Sequence, residues 1–527
     1  MVLLQGDPCS VIHWGARCDN ATDDTLAIQS ALDACTYRVV TFPEDRTCLS
    51  FPLRFHDGTS VSLPIGARLK AYPDTGRWAE WCMSEPDPDP SPKPPPMPPF
   101  QPPMPPMSPP PSVPSPPPPP PAPLAETCSF IEMKHLRDIA VYGQGTIDGS
   151  GEGWWFDERF DDARPRLFRM QSVRNVSFRG VTLTHSPAMT LAFISPCYDA
   201  LVDGVTIYNP AVGQTDGIDM GCDGAVIQNT AVTNGDDAIC MKSGAKNVLV
   251  RNCTVRSGPA FPGALFPGLS GGLVLGTDDW VHEDDAIDNV TYSNCTVTYP
   301  RRPSPPSTRQ PLPQARPWPC PPQIPTQTQV TDALAGIRIK FRPSQHGRVR
   351  GVHFEHIRII DPVDYAVDLF LESNHIEEGS ADEANRRRAG NHAYSLQHSP
   401  DDLPGTGASE QTGLGAGLPS SKASSRMVSV DKITLSHIYS TLRPLSKDIC
   451  DQNRGDDDED TCPRAVGRFQ CTPELPCSGI ALQDFNAEGF VASDKYPVAC
   501  TWSYATGSTS TPTSNVHPAV CRPPVAL

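Results

Sequence analysis

Short runs in which apolar and polar residues alternate recur along this chain at a nearly fixed interval. The clearest begin at Asn175, Ala200, Ala225, Asn247 and Asn289, so their starts lie 25, 25, 22 and 42 residues apart, the last gap being about two periods. In Asn175-Val-Ser-Phe-Arg-Gly-Val-Thr-Leu and its relatives the apolar side chains fall on every second position, as in a strand with one buried face. Gly, Asn or Pro then turns the chain. Self-similarity at this period, with two short strands per unit, predicts an all-β solenoid of stacked coils. Further copies at Val349–Ile360, Val430–Ile438 and Ile480–Phe490 carry the stack onward. The leucine spacing of leucine-rich repeats is absent.

Near the start, Thr22-Asp23-Asp24 reads as a helix N-terminus, with Ile28, Ala31, Leu32 and Cys35 on one face of the helix that follows. Such a helix would cover the open end of the solenoid, whose unpaired edge otherwise invites pairing with other chains. Three stretches break the pattern. Between Pro86 and Pro123, 24 of 38 residues are proline, a composition that forms extended polyproline II and no core. Residues 300–331 and 372–426 read as disordered insertions. The expected organisation is a cap and first coils over 1–84, the Pro-rich insertion over 85–124 and central coils over 125–299. After the insertion at 300–331 come coils over 332–371, the insertion at 372–426, and final coils with a cysteine-rich tail over 427–527.

Bulk chemistry narrows the class. Eighteen cysteines without paired zinc-type spacing favour disulfides in an oxidising compartment. Sequons at Asn20, Asn175, Asn252, Asn289 and Asn294 agree with secretion to the extracellular space or a cell wall. The start, Met1-Val2-Leu3-Leu4-Gln5, is too short for a signal-peptide core, which needs roughly 7–15 apolar residues. No apolar run is long enough for a membrane span. A net charge of -17 argues against a nucleic-acid partner, and it means that an acidic ligand must be gripped by a few local cations. The chain is expected to act as a monomer and to need no cofactor or metal.

Two repeats carry clustered acids: Gln214-Thr-Asp-Gly-Ile-Asp219 and Asn234-Gly-Asp-Asp-Ala-Ile-Cys-Met-Lys-Ser-Gly244. Asp216 and Asp236 are 20 residues apart, close to one coil, so Asp216, Asp236 and Asp237 should converge on one face. Converging carboxylates suit glycosidic hydrolysis, which needs a protonated acid at the leaving oxygen and an ionised carboxylate to activate water. Mutual repulsion raises the pKa of one member while others stay charged. Aspartates beside glycine also serve in plain turns, and hard cations such as calcium bind clustered carboxylates.

With these residues in view, the chain resembles glycoside hydrolase family 28, the polygalacturonases and their relatives. The resemblance runs through Gly15-Ala-Arg-Cys-Asp-Asn-Ala-Thr-Asp-Asp24, Gly143-Gln-Gly-Thr-Ile-Asp-Gly149, Trp154-Trp155 and Gly467-Arg-Phe-Gln-Cys471. The family's Asn-Thr-Asp, Gly-Asp-Asp and Arg-Ile-Lys motifs look like Gln214-Thr215-Asp216, Gly235-Asp236-Asp237 and Arg338-Ile339-Lys340. It implies a single-stranded right-handed parallel β-helix and an inverting hydrolase acting on the α-1,4-galacturonan of pectin. Asp236 would be the general acid, with Asp216 and Asp237 on the attacking water. Arg338, Lys340 and Tyr365 would hold the substrate. The family's Gly-His-Gly segment is matched to Leu269-Ser270-Gly271-Gly272, placing Ser270 at the histidine position and in contact with substrate. The tail resembles that of plant-type members and implies Cys471–Cys477 and Cys500–Cys521 pairs.

Two other readings stand beside this one. A β-helix that binds acidic wall polysaccharide without cutting it would follow from Ser270, with the Pro-rich segment tying it to extracellular matrix. A pectate lyase would use calcium and a basic residue instead of the aspartate trio.

Overall fold

A row of interior side chains stacks in register from one end of the molecule to the other: Val61, Val141, Phe178, Val202, Ile227, Val250, Tyr292, Phe354, Leu435 and Leu482. All are buried. Tyr292 and Phe354 lie flat on each other at 4.7 Å. The structure is a computed structural model that describes residues 7–83, 128–156, 164–259, 261, 268, 270–276, 286–298, 329–330, 335–341, 347–362, 364–371, 428–442, 465–472, 476–490, 498–511 and 513–524. The Pro-rich insertion at 85–124 and the 372–426 segment lie outside these residues, as does 300–328.

Every strand pairing among the described residues is parallel, so the chain winds as a right-handed β-helix. One continuous eleven-stranded sheet runs from Leu53–Arg54 to Cys500–Ser503 and carries the chemically interesting side chains. The repeat's Gly and Asn positions are explained by its corners. Gly180, Gly204, Asn229, Asn252 and Asn294 occupy equivalent places on successive coils with φ between 49° and 71°, the left-handed region that these residue types tolerate best. Asparagines at another corner also bond across coils, Asn175 Nδ2 to Asp138 at 2.7 Å and Asn289 Nδ2 to Asn247 at 2.7 Å.

The cap helix forms, spanning Thr25–Ala34 with Thr25, Ile28, Ala31 and Leu32 buried. It begins directly after Asp24, the last residue of the expected N-terminus, and follows the strand Asp19–Asp23, which pairs with Thr47–Ser50. Asp24 does not cap the helix with its side chain. Its carboxylate instead accepts from the Arg17 and Cys18 backbone N–H groups, at 2.7 and 2.9 Å. Disulfides Cys9–Cys35 and Cys18–Cys48 fasten this end. A second helix that the pattern did not reveal, Thr75–Met83, buries Trp78 against Phe130 and Trp154. Cys82 in it pairs with Cys128, joining the two flanks of the Pro-rich stretch.

At the far end the tail pairs as Cys471–Cys477 and Cys500–Cys521. Gln329 and Val330, assigned by sequence to the 300–331 insertion, are instead a short strand lying between Val297–Thr298 and Ile359. No helix among the described residues is long and apolar enough to cross a membrane.

Candidate active site

The short strands Ile218–Met220 and Ile239–Met241 pair in register, Ile218 on Ile239. Extending that register backwards sets Asp216 over Asp237, with Gly217 N–H donating to the Asp237 carbonyl at 2.9 Å. Asp236 comes alongside through the Asn234-Gly235 turn. Asn234 is fully buried and donates to the carbonyls of Thr215, Asp236 and Asp237, so one amide ties both acidic segments together. One carboxylate oxygen from each of Asp216, Asp236 and Asp237 lies within 4.8 Å of the other two. The convergence expected from the coil period is present.

Their environments differ. Asp236 accepts from the backbone N–H of Gln214 at 2.8 Å and of Asp237 at 2.8 Å. Burial nonetheless raises its pKa, helped by the charge of Asp237. Asp216 is raised well above the ordinary carboxylate range by burial and by the nearby charges of Asp219 and Asp236. Burial also pushes Asp237 upward, but Lys340, with Nζ 2.9 Å from Oδ2, and Lys242 behind it outweigh burial and bring the carboxyl to about 2. One member is therefore held ionised, and protons favour the other two. The resemblance assigned the proton to Asp236 alone; the surroundings favour it on Asp216 as well, because Asp219 adds a fourth carboxylate.

Such a cluster could also attract a hard cation. Here Lys340 on Asp237 and Lys242 on Asp219, the latter pair at 3.2 Å, supply positive charge from the protein itself. The other metal-like group, Cys18, Asp24 and Cys48, has both thiols in a disulfide.

Arg338 and Lys340 project from one face of Ala335–Phe341, two residues apart. Arg338 Nε lies 3.5 Å from Asp368, a buried carboxylate that Arg468 grips with two hydrogen bonds of 2.7 and 2.9 Å. Tyr365 lies on the row that runs from Asp216 and Asp237 through Gly271 and Ala335, three coils beyond Asp237. Its ring packs on the Arg468 guanidinium at 4.8 Å, with Phe370 against the same group at 4.1 Å.

Ser270 requires a correction. It is fully buried, its N–H donating to Ser257 Oγ at 2.9 Å and its own Oγ accepting from Gly272 N–H at 3.2 Å, so it offers nothing to a substrate. The position that faces the trio is Gly271, whose N–H donates to the Asp236 carbonyl at 3.0 Å. A Cβ there would collide with Oδ1 of Asp237. Gln214, which replaces the motif asparagine, turns its side chain away, accepting from Arg164 at 2.8 Å, and acts on Asp236 through its backbone. His282 and His346, the two histidines in the sequence that could stand in for the missing motif histidine, lie outside the described residues.

Sequence reasoning missed roles for Asp219, Lys242, Asp368, Arg468 and Arg164. Asp219 and Lys242 stand inside the two acidic motifs, and period-two alternation in Ile-Asp-Met and Ile-Cys-Met-Lys already turns them outward. Arg164 and Arg468 belong to no such pattern.

Residues 124–299 match the family model described as glycosyl hydrolases family 28. A probable polygalacturonase of Arabidopsis thaliana is 31% identical over 162 residues, covering 30% of this chain and 32% of the relative. A probable exopolygalacturonase X of Aspergillus fumigatus is 35% identical over 124 residues, 22% of this chain and 28% of the relative. The matches thus span about a third or less of those relatives' lengths. The crystal structure of an endo-xylogalacturonan hydrolase from Aspergillus tubingensis superimposes with a TM-score of 0.55 over 94% of this chain and 98% of that one, at 16% identity, and so speaks for the fold.

Proposed function

We propose that this chain, which over residues 124–299 matches glycosyl hydrolases family 28, is a member of that family and hydrolyses α-1,4-galacturonosidic bonds of pectin with inversion at the anomeric carbon. The observation that carries this reading is the trio itself, three buried carboxylates of unequal proton affinity converging beside a lysine. Asp236, protonated through burial and the charge of Asp237, gives its proton to the leaving glycosidic oxygen. A water attacks the anomeric carbon, oriented by Asp216, and loses its proton to Asp237. Lys340 keeps Asp237 ionised to receive it. Such acid–base assistance is worth roughly 10²–10⁴ in rate.

The carboxyl oxygens are closer than the roughly 6.5–9.5 Å that separates a lone acid and base flanking a water. In this reading the water is held to one side by Asp216 and Asp237. An acidic polysaccharide suits the cation row of Arg338, Lys340 and Lys242 in a chain of net charge -17. The six disulfides among the described residues and the sequons fit an extracellular setting.

The test is release of reducing ends from polygalacturonic acid by the full chain and by Asp236→Asn. The wild type should cut, and the variant should lose at least about 10²-fold. NMR of the first product should show the anomer opposite to that of the substrate. Equal release by the two proteins sinks the mechanism, and a retained anomer sinks inversion.

A further inference from the structure

Asp219 and Lys242 stand beside the trio, yet the reaction set out above gives them no step. Asp219 points out from the centre of Ile218–Met220, one coil before Lys242. Only 4% of Asp219 is exposed, and among the described residues neither of its oxygens accepts a well-aligned hydrogen bond; the Lys242 ammonium, 3.2 Å from Oδ1, is its ion-pair partner. A carboxylate buried to this degree usually has its acceptor sites filled.

The row in which Lys242 lies explains where a filling group could come from. Met220, Met241, Leu275 and Ile339 are in register, so Gly221, Lys242, Gly276 and Lys340 follow as the next row on successive coils. Glycine on both sides leaves Lys242 without adjacent side chains along its own row. A Cβ at Gly276 would strike the Lys340 backbone carbonyl and crowd its Cγ. With coils about 4.8 Å apart, Lys242 and Lys340 are ~10 Å apart across a floor of glycine. The Lys242 side chain is 19% exposed, so its charge is shielded from most solvent screening.

We propose that Asp219 and Lys242 form a recognition pair for one uronic acid residue, Lys242 taking its carboxylate and Asp219 accepting from one of its hydroxyls. The proposal rests on the reading of the site as pectin-directed and adds what that reading lacks, a residue-level reason to prefer unesterified sugar. An ammonium has three donors, so Lys242 can bridge Asp219 and a second carboxylate. A methyl ester in that place removes the charge that the ammonium would meet.

Calorimetric titration of defined oligogalacturonates, unesterified or fully methyl-esterified, into full-length Asp236→Asn and Asp236→Asn/Lys242→Met tests this. The second protein should bind the acid oligomer about 10-fold more weakly and the ester equally well. Lys242→Arg in the same background should keep the preference, and Lys242→Gln gives the same readout if the Met variant does not fold. In otherwise wild-type protein, Lys242→Met should raise KM on unesterified substrate and leave KM on the ester unchanged. Unchanged binding, or an equal loss for acid and ester, overturns the pair alone. No binding of either oligomer, together with no cleavage by the wild type, overturns the functional reading with it.

Discussion

Lys340 reaches across an intervening coil to Asp237, its Nζ 2.9 Å from Oδ2, and this one contact separates Asp237 from its two acidic neighbours. The intervening coil contributes Gly271, Val274 and Gly276 to this face.

Lys340→Met should therefore move the acid limb of the pH–activity profile upward. Burial raises the Asp237 carboxyl and Lys340 overrides it, bringing it from 3.8 to about 2. A depressed folded-state pKa contributes stability that is complete above about 3.8 and lost as pH falls through about 2. The variant should be less stable than wild type by about 3 kcal/mol near neutrality. Denaturant titrations at several pH values should show that gap closing below about 4.

Asp216 has the opposite sign. Burial, then Asp219 and Asp236, raise its pKa, so the folded state takes up the proton more readily than the unfolded chain. Its favourable contribution is complete below the unfolded value and is lost as pH rises through the raised one. Asp216→Asn should stabilise the protein by about 1 kcal/mol at pH 7, gain little at pH 4, and lose at least about 10²-fold in turnover. A variant destabilised equally at both pH values would contradict this electrostatic account.

Gly271 and Ser270 make a contrasting pair. Gly271→Ala meets no backbone restriction but would push the Asp237 carboxylate away from Lys340, and kcat should fall about 10-fold or more with KM little changed. Ser270→Ala should cost about 1 kcal/mol through one lost buried hydrogen bond and leave kcat intact. Thermal melts alongside initial rates separate the two outcomes.

Arg468 braces Arg338 through Asp368. Arg468→Lys keeps the charge but loses the two-pronged grip and the fit between Tyr365 and Phe370. With Asp368 no longer fixed, Arg338 should lose its position, raising KM about fivefold while kcat stays within about twofold. Steady-state kinetics on polygalacturonic acid would show whether that split occurs.

The coil architecture was legible because strand periodicity and corner residues are local: each repeat states its own buried face, and Gly or Asn marks the left-handed corner. The trio was legible because 20 residues is close to one coil. Ser270 was misplaced because two adjacent glycines let a short motif slide by a position, and only the Asp237 contact identifies which residue faces the site. Arg468 and Asp368 are 100 residues apart in sequence, with the 372–426 stretch between them, so no local pattern could pair them.

The Cys82–Cys128 bridge gives the Pro-rich stretch a mechanical character. Its flanks are 46 residues apart in sequence but 5.5 Å apart at Cα, beside Trp78, whose indole N–H donates to the Cys128 carbonyl. The bridge thus gives the two flanks one shared anchorage on the first coils. At that anchorage a covalent bond and a buried tryptophan, and none of the coils bearing the aspartates, hold the two flanks together.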